Sequence, residues 1–395
     1  MDKDAVKPTS GEIIEQREQR VKYVNTICKL ADSNIGTDPS GNSPDSLMST
    51  AFTGLLQYDG NSPVLIDTLV EAGNQRRQTE YPMRPIHGAL IFVYAVNHLM
   101  LHERNHENYA AEFELDKPEN WGKVYRLIEE DPGLLEQLGN LLKEKELMTS
   151  NPRRANDLNF IIKRAIGRNI GTWTDLGSSM GFPVLATLSG DTDPELMSFQ
   201  DDTIPGQDVG YLKAACKDPV QAQKIVLVDH TDPYKDFNWF LSCCYPVDAT
   251  SDKVARSCDR IKKYHGKNHI EFEERNMMNQ PTRPHESDLV TAIMSGYELD
   301  RKSQAELLES IMPQHITEGG AMIVKDYIDI DENGRLVFVD DRNSYRCKTA
   351  IQVPSMAKRW FIVTDHSTSR CHTTKGGPDL PDFMEQTARL PHNNY

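Results

Sequence analysis

Between residues 188 and 210 the chain changes character, and that break limits the fold more than any single motif. The text there runs Ser-Gly-Asp-Thr-Asp-Pro and then Asp-Asp-Thr-Ile-Pro-Gly-Gln-Asp, which is turn and loop chemistry. Before it, apolar residues recur at helical spacing. Ile14, Val21, Val24, Ile27, Cys28 and Ala31 lie on one stripe. Further helices are expected at 47–57, 63–72, 85–113, 121–130, 133–148 and 159–170. After it the pattern is mixed. Residues 224–229, 322–330, 335–339 and 360–364 read as strands, and 252–264 and 303–312 as helices. The expected class is α+β, with a predominantly helical N-terminal half and a mixed α/β C-terminal half carrying a β-hairpin near 322–340. The expected domains are 1–187, a 188–210 linker, and 211–395 with a basic C-terminal segment.

The helix expected at 85–113 holds the motif that most directly names a chemistry. Pro85 suits a first helical position, and residues 86–101 are almost continuously apolar but too short to span a bilayer. The run ends in His102-Glu103-Arg104-Asn105-His106, the H-E-x-x-H pattern. On a helix, His102 and His106 would stand one turn apart and share a Zn²⁺, with Glu103 as general base and Glu112 as the candidate third ligand. Against this, Arg104 sits between the two histidines. Tyr109 also stands where a sharp turn toward Glu112 needs glycine. A buried helix that becomes polar as it leaves the core is the competing explanation.

Charge and cysteine content narrow the remaining classes. The net charge of −15 over 395 residues argues against a protein coated all round with nucleic acid. The charge is uneven: residues 103–146 are strongly acidic, whereas 342–375 are basic. Such halves suit head-to-tail association of copies. Seven cysteines without any C-x-x-C, and an N-terminus without an apolar signal core, point to a reducing intracellular setting and no membrane.

Two basic sets are candidate anion sites. Lys253, Arg256, Arg260, Lys263 and Lys267 are spaced by 3, 4, 3 and 4, which places five cations on one helical stripe. Either the stripe is a solvated face, or phosphates or a neighbouring copy's carboxylates relieve its self-repulsion. Arg153, Arg154, Lys163, Arg164 and Arg168, with Phe160 among them, would line the same groove. Asp229-His230-Thr-Asp232-Pro233 closes an apolar strand and reads either as an acidic edge of an α/β sheet or as a turn. No Gly-rich phosphate loop precedes it. Asp329-Ile-Asp331-Glu-Asn333-Gly334 has cation-loop spacing but strand-like flanks, so a hairpin turn is expected.

With no convincing catalytic set, the expectation is a non-enzymatic self-assembling structural protein of viral coat or nucleocapsid type. It would contact copies of itself and RNA phosphates, need no cofactor, and reside in the cytoplasm or a virion. An intracellular zinc-dependent hydrolase using the 102–106 run is the alternative.

Overall fold

The helical spacing of the first half does build helices. The computed structural model describes residues 10–32, 44–76, 83–106, 109–147, 152–179, 181–190, 214–230, 232, 235–243, 270–339, 347–356, 359–366 and 374–390. They fall into two units, Met1–Met148 with Asp236–Arg256, and Thr149–Lys235 with Ser257–Tyr395. The division therefore comes at Met148, ahead of the break read from the sequence, and residues 191–210 lie outside the described residues.

The first unit contains α1 (Ser10–Asp32), α2 (Pro44–Asp59), α3 (Val64–Arg76), α4 (Pro85–His98), α5 (Tyr109–Glu112), α6 (Pro118–Glu130) and α7 (Pro132–Glu144). Prolines open α4, α6 and α7, where a missing N–H costs nothing because the first turn has no acceptor for it. Asp131 caps α7 by accepting from the Gly133 and Leu134 amides. Phe52, Phe92, Trp121 and Tyr125 fill the core between these helices. Tyr23 reaches α3 and α4 at Gly73 and Gly88, where any Cβ would collide with its ring.

The single helix expected at 85–113 is interrupted. After His98 the backbone widens into a π-turn over Leu99–Glu103, and Asn105 takes a left-handed φ of 53°. Buried Asn97 sits at the entry to this turn. Its amide donates to the Ser242 carbonyl at 2.8 Å and accepts from the Tyr109 hydroxyl at 2.9 Å.

The second unit is a mixed α/β fold. Its strands are β1 (Asn169–Leu176), β2 (Gln221–Asp229), β3 (Ile270–Glu274), β4 (Ser287–Ile293), β5 (Ile316–Asp326), β6 (Ile328–Ile330), β7 (Leu336–Phe338), β8 (Cys347–Gln352), β9 (Phe361–His366) and β10 (Thr374–Gly376). Eight of them form one sheet, in the order β10-β9-β8-β5-β4-β1-β2-β3. The β3-β2-β1-β4-β5 portion is parallel, and β8, β9 and β10 continue it antiparallel. The expected mixture of helices and strands in this half is present, and a large parallel-dominated sheet organises it. Side chains alternate between its two faces. Trp173, Ile225, Leu227, Leu289 and Ile323 share one core with Phe160, Ile161 and Val184. Val226, Val228, Val290, Met322 and Val324 share another with Leu307, Ile311 and Met312. The small β6–β7 hairpin turns at Gly334 (φ 77°). There Asp331 accepts from the Asn333 and Arg335 amides, as a turn residue does.

A bulge in β9 has a consequence for the core. Ala350 pairs with Ile362, but Thr349 pairs with Thr364, so Val363 is the extra residue. Without it, Thr364 and His366 would share a face with Ile362. With it, they turn to the other face, alongside Thr349, and meet Asp157 just before α8 (Leu158–Ile166). Asp157 takes hydrogen bonds from the Lys325 ammonium (2.7 Å), the Thr349 hydroxyl (2.7 Å) and the Thr364 hydroxyl (2.5 Å). Lys325 also donates to the Arg154 carbonyl, and His366 Nδ1 meets the Thr374 hydroxyl at 2.8 Å. The side chains of Lys325, Asp157 and His366 are wholly buried. Burial opposes ionisation of Asp157, yet Lys325 and His366 outweigh it and hold its carboxyl well below the usual range.

Lys325→Met should destabilise this unit by about 3–5 kcal/mol, because it leaves a buried carboxylate without its cation. The depressed folded pKa of Asp157 sets the acid side. Its contribution is full above the unfolded carboxylate value near 4 and is lost as pH falls through the folded value. Thermal unfolding at several pH values checks both, and an unchanged midpoint in Lys325→Met would show that the pair does not hold the unit together.

Candidate functional site

The sheet itself points to one edge. Helix α9 (Phe182–Ser189) joins β1 to β2 and packs on the face that carries Trp173 and Leu227. The helical segment 301–315, which joins β4 to β5, packs on the opposite face through Leu307, Leu308, Ile311 and Met312. The chain thus leaves β1 and β4 toward opposite faces. Adjacent parallel strands that do so leave a crevice beyond their carboxyl ends, where α/β sheets bind ligands.

β1 ends there in Asp175-Leu176-Gly177-Ser178-Ser179, and Gly181 opens α9 after one further residue. Gly177 (φ 68°), Ser179 (φ 47°) and Gly181 (φ 70°) are all left-handed. A Cβ on Gly177 would lie 2.5 Å from the Cβ of Ser295, and one on Gly181 would lie 2.8 Å from Leu227 Cδ1. The turn fits nothing larger than glycine at either place.

Each described amide of this turn is already used. The Gly177 and Ser178 amides donate to the Val228 carbonyl at 2.9 and 3.1 Å, and the Gly181 amide to the Ser178 carbonyl at 2.8 Å. The Ser179 amide donates to Asp229 Oδ2 at 2.7 Å. Asp229 ends β2 and so binds the turn to the neighbouring strand. Its Oδ1 accepts from the His230 amide at 2.8 Å and lies 2.9 Å from His230 Nδ1.

The neighbouring strands complete the edge. Buried Asp175 accepts from the Thr291 hydroxyl at 2.5 Å, and that hydroxyl accepts from Trp173 Nε1 at 2.9 Å. Burial pushes the Asp175 carboxyl up to about 7; the Thr291 hydrogen bond opposes the shift and the Asp229 charge adds to it. After β4, Ser295 donates to the Leu176 carbonyl at 3.0 Å. Asp326, at the end of β5, accepts from the Gly296, Tyr297 and Tyr327 amides and is likewise raised by burial to about 7.

The residues singled out from the sequence lie mostly elsewhere. The π-turn takes His106 off the helical register of His102. His106 instead meets Glu112 at 3.2 Å, and His98 meets the Ser242 hydroxyl at 2.9 Å. Glu103 is exposed. No group of three or more His, Cys, Asp or Glu among the described residues could hold a metal ion. Lys163 is half-buried and donates to the Ala215 and Asp218 carbonyls, and Arg168 bonds Asp218 at 2.6 Å. Phe160 is in the core, and Arg153, Arg154 and Arg164 lie on the same chain segment ahead of β1. The stripe Lys253, Arg256, Arg260, Lys263 and Lys267 lies outside the described residues. Asp229, read as an acidic sheet edge, does border the crevice. The glycine turn opposite it was missed because its Asp-x-Gly-x-x-x-Gly spacing is not that of a dinucleotide fingerprint, and a helix was expected across the start of β1.

No protein-family model matches the chain, and no curated protein matches it in sequence. Among solved structures it resembles the N-methyltransferase NodS from Bradyrhizobium japonicum, solved with S-adenosyl-l-homocysteine. The two are 12% identical over 45% of this chain and 63% of NodS, with a TM-score of 0.25. A Listeria monocytogenes protein assigned as an S-adenosylmethionine-dependent methyltransferase gives 12% identity over 46% of this chain and 59% of its own, with a TM-score of 0.24. The [4+2]-cyclase SpnF gives 16% over 45% and 47%, with a TM-score of 0.25. The match thus spans less than two thirds of each of these proteins.

These findings correct three expectations. The coat or nucleocapsid assignment is withdrawn, because a parallel-dominated sheet organises the second unit, and such a sheet leaves a ligand-type crevice where β1 and β4 diverge. The zinc-hydrolase alternative falls with it, since the π-turn removes the spacing that His102 and His106 require. The expectation of no cofactor, or of zinc, is likewise corrected, since the crevice beyond β1 and β4 lies where α/β sheets bind ligands and no group among the described residues suits a metal ion. As to membranes, no helix among the described residues is long and apolar enough to cross one.

Asp175 sets a pH dependence. Its folded pKa lies above the unfolded value, so its own contribution to stability is full below about pH 4 and is lost as pH rises toward 7 and the carboxyl ionises in place. Asp175→Asn should flatten part of that fall in thermal unfolding between pH 4 and 8, with Asp326 responsible for the remainder. A variant with the same slope as the parent would show that Asp175 is not neutral in the folded chain.

Proposed function

We propose that the chain is a methyltransferase that takes its methyl group from S-adenosylmethionine bound beyond β1, β2 and β4. The observation that carries this reading is the state of the glycine turn. Nucleotide pyrophosphates are bound by free backbone amides at such a turn and at the helix N-terminus behind it. Here the Gly177, Ser178, Ser179 and Gly181 amides are all spent within the protein, and Pro183 in the first turn of α9 has no N–H to give. The crevice thus lies where nucleotides bind, but these four amides are not open to a pyrophosphate. The antiparallel β8–β10 extension also replaces the further parallel strand that would complete a second nucleotide-binding half. A nucleoside cofactor without phosphates fits both facts.

Asp229 is placed to accept from ribose hydroxyls, since a carboxylate at the end of the second strand does this in nucleotide folds. Gly177 and Gly181 let the ligand approach the backbone closely, and Ser295 and Met277 lie against Gly177. S-adenosylmethionine, when bound, supplies an electrophilic methyl group on a sulfonium. The chain's own residues bind and orient it, and neutral Asp175 puts no second negative charge beside Asp229 below about pH 7.

Isothermal titration should show binding of S-adenosylhomocysteine to the full chain and none of NAD. Asp229→Ala should weaken that binding by about tenfold or more, the scale of hydrogen bonds to a charged group. Binding of NAD in preference, or of neither compound, overturns the proposal.

A further inference from the structure

Asp236–Arg256 belongs to the first unit, although the chain before it, Thr149–Lys235, and the chain from Ser257 onward belong to the second. Its described part, residues 236–243, holds a short helix, Phe237–Ser242, that is fastened to α4 and the π-turn. Asn97 holds the Ser242 carbonyl at 2.8 Å. His98 Nδ1 lies 2.9 Å from the Ser242 hydroxyl. That hydroxyl gives its one proton to the Asn238 carbonyl at 2.7 Å, so the bond to His98 needs an N–H on Nδ1. The His102 ring bonds the Asn238 backbone. The centroids of the two imidazoles are 4.8 Å apart, and the Trp239 ring lies 5.9 Å from that of His98.

This arrangement suits neutral rings only. A charged imidazole carries an N–H on both nitrogens. His102 Nε2 is buried and has no hydrogen-bond partner among the described residues, so charging that ring places a donor there with nothing to receive it. Charging both rings sets two cations side by side. The carboxylates around them are committed or exposed. Asp236 pairs with Lys145 and caps the short helix by accepting the Trp239 amide, Glu146 pairs with Arg76, and Glu103 faces solvent. Burial accordingly lowers both imidazoles, that of His98 also through His102 and Lys145, against the pull of Asp236 and Glu103.

We propose that His98 and His102 form an acid-sensitive latch: when these rings take up protons, residues 236–243 come free of α4 and the π-turn and uncover Trp239 and Cys243, both buried while the latch is closed. An imidazole lowered by folding makes its full contribution above the unfolded value near 6.5 and loses it as pH falls through the folded value. The latch therefore opens on acidification, in the range where histidine changes charge. None of its residues belongs to the crevice, so the latch and the nucleoside reading stand or fall separately.

Hydrogen exchange of the full chain, corrected for the intrinsic pH dependence of exchange, tests this at the Phe240 and Cys243 amides, which bond the Asp236 and Trp239 carbonyls. Between about pH 7.5 and about pH 5 their protection should fall tenfold or more, roughly the scale of a buried donor without an acceptor. The amides of α6 should keep theirs. His98→Gln and His102→Gln, which take up no proton in this range, should each lessen the fall, and the double variant should abolish it. The ring resonances of His98 and His102 in the parent decide the matter even where a variant fails to fold: they should titrate below about 6.5, in step with the loss of protection. Protection in the parent that does not change with pH, a loss shared equally by α6, ring titration out of step with the loss, or a loss undiminished in the folded double variant overturns the proposal.

Discussion

The buried ion pair between Lys325 and Asp157 fixes the arrangement of the second unit. Two wholly buried charges are tolerable only if each is paired and its remaining hydrogen-bonding capacity is met. Asp157 meets that condition only if α8, β5, β8 and β9 all arrive at one point, because Lys325, Thr349 and Thr364 come from three different strands. The bulge at Val363 exists in this context: it turns Thr364 and His366 toward Asp157 and still leaves Ile362 and Phe361 on their own faces. Such a network need add no net stability over a hydrophobic replacement. What it does is specify register, since a strand slipped by one residue would strand a charge in the core.

The register reaches the crevice through β5. Lys325 is followed directly by Asp326, whose carboxylate holds the Gly296 and Tyr297 amides of the loop after β4. The Lys325 carbonyl also accepts the Met294 amide at 2.7 Å, and Met294 is held at a left-handed φ of 53°. The same two residues thus anchor the sheet from below and shape the edge of the site above. Ser295, fixed by this loop, then presses against Gly177, which is why that position tolerates no side chain.

Helices were legible in the sequence because a 3.6-residue period survives in α1, α2, α3, α6 and α7 even where their ends differ. The interruption after His98 was not, because a π-turn leaves the apolar pattern of Leu99, Met100 and Leu101 intact and changes only the backbone. β1 was missed for a different reason. Its text, Asn-Ile-Gly-Thr-Trp-Thr-Asp-Leu, is too polar to read as a buried strand. The polar residues pay their way through partners far along the chain: Gly171 and Thr172 amides on Asp288, Thr174 on Ser287, and Asp175 on Thr291. Of the site, only Asp229 was visible, as the charged end of an apolar run. Its meaning depended on a turn fifty residues earlier that no local pattern connects to it.

That turn shows why shape and chemistry have to be read separately. A left-handed glycine turn after a first strand has the outline of a phosphate cradle, and strand order alone would suggest one. The destination of each amide decides otherwise. Val228, Ser178 and Asp229 take the amides of Gly177, Ser178, Ser179 and Gly181, so these four are spent within the protein before any ligand arrives. In the proposed reading, recognition passes from those amides to the Asp229 carboxylate at the rim. Burial raises the Asp175 carboxyl to about 7, so that it is largely neutral well below that pH. On the nucleoside reading proposed above, a site built this way would select ligands by their hydroxyls and not by their phosphates.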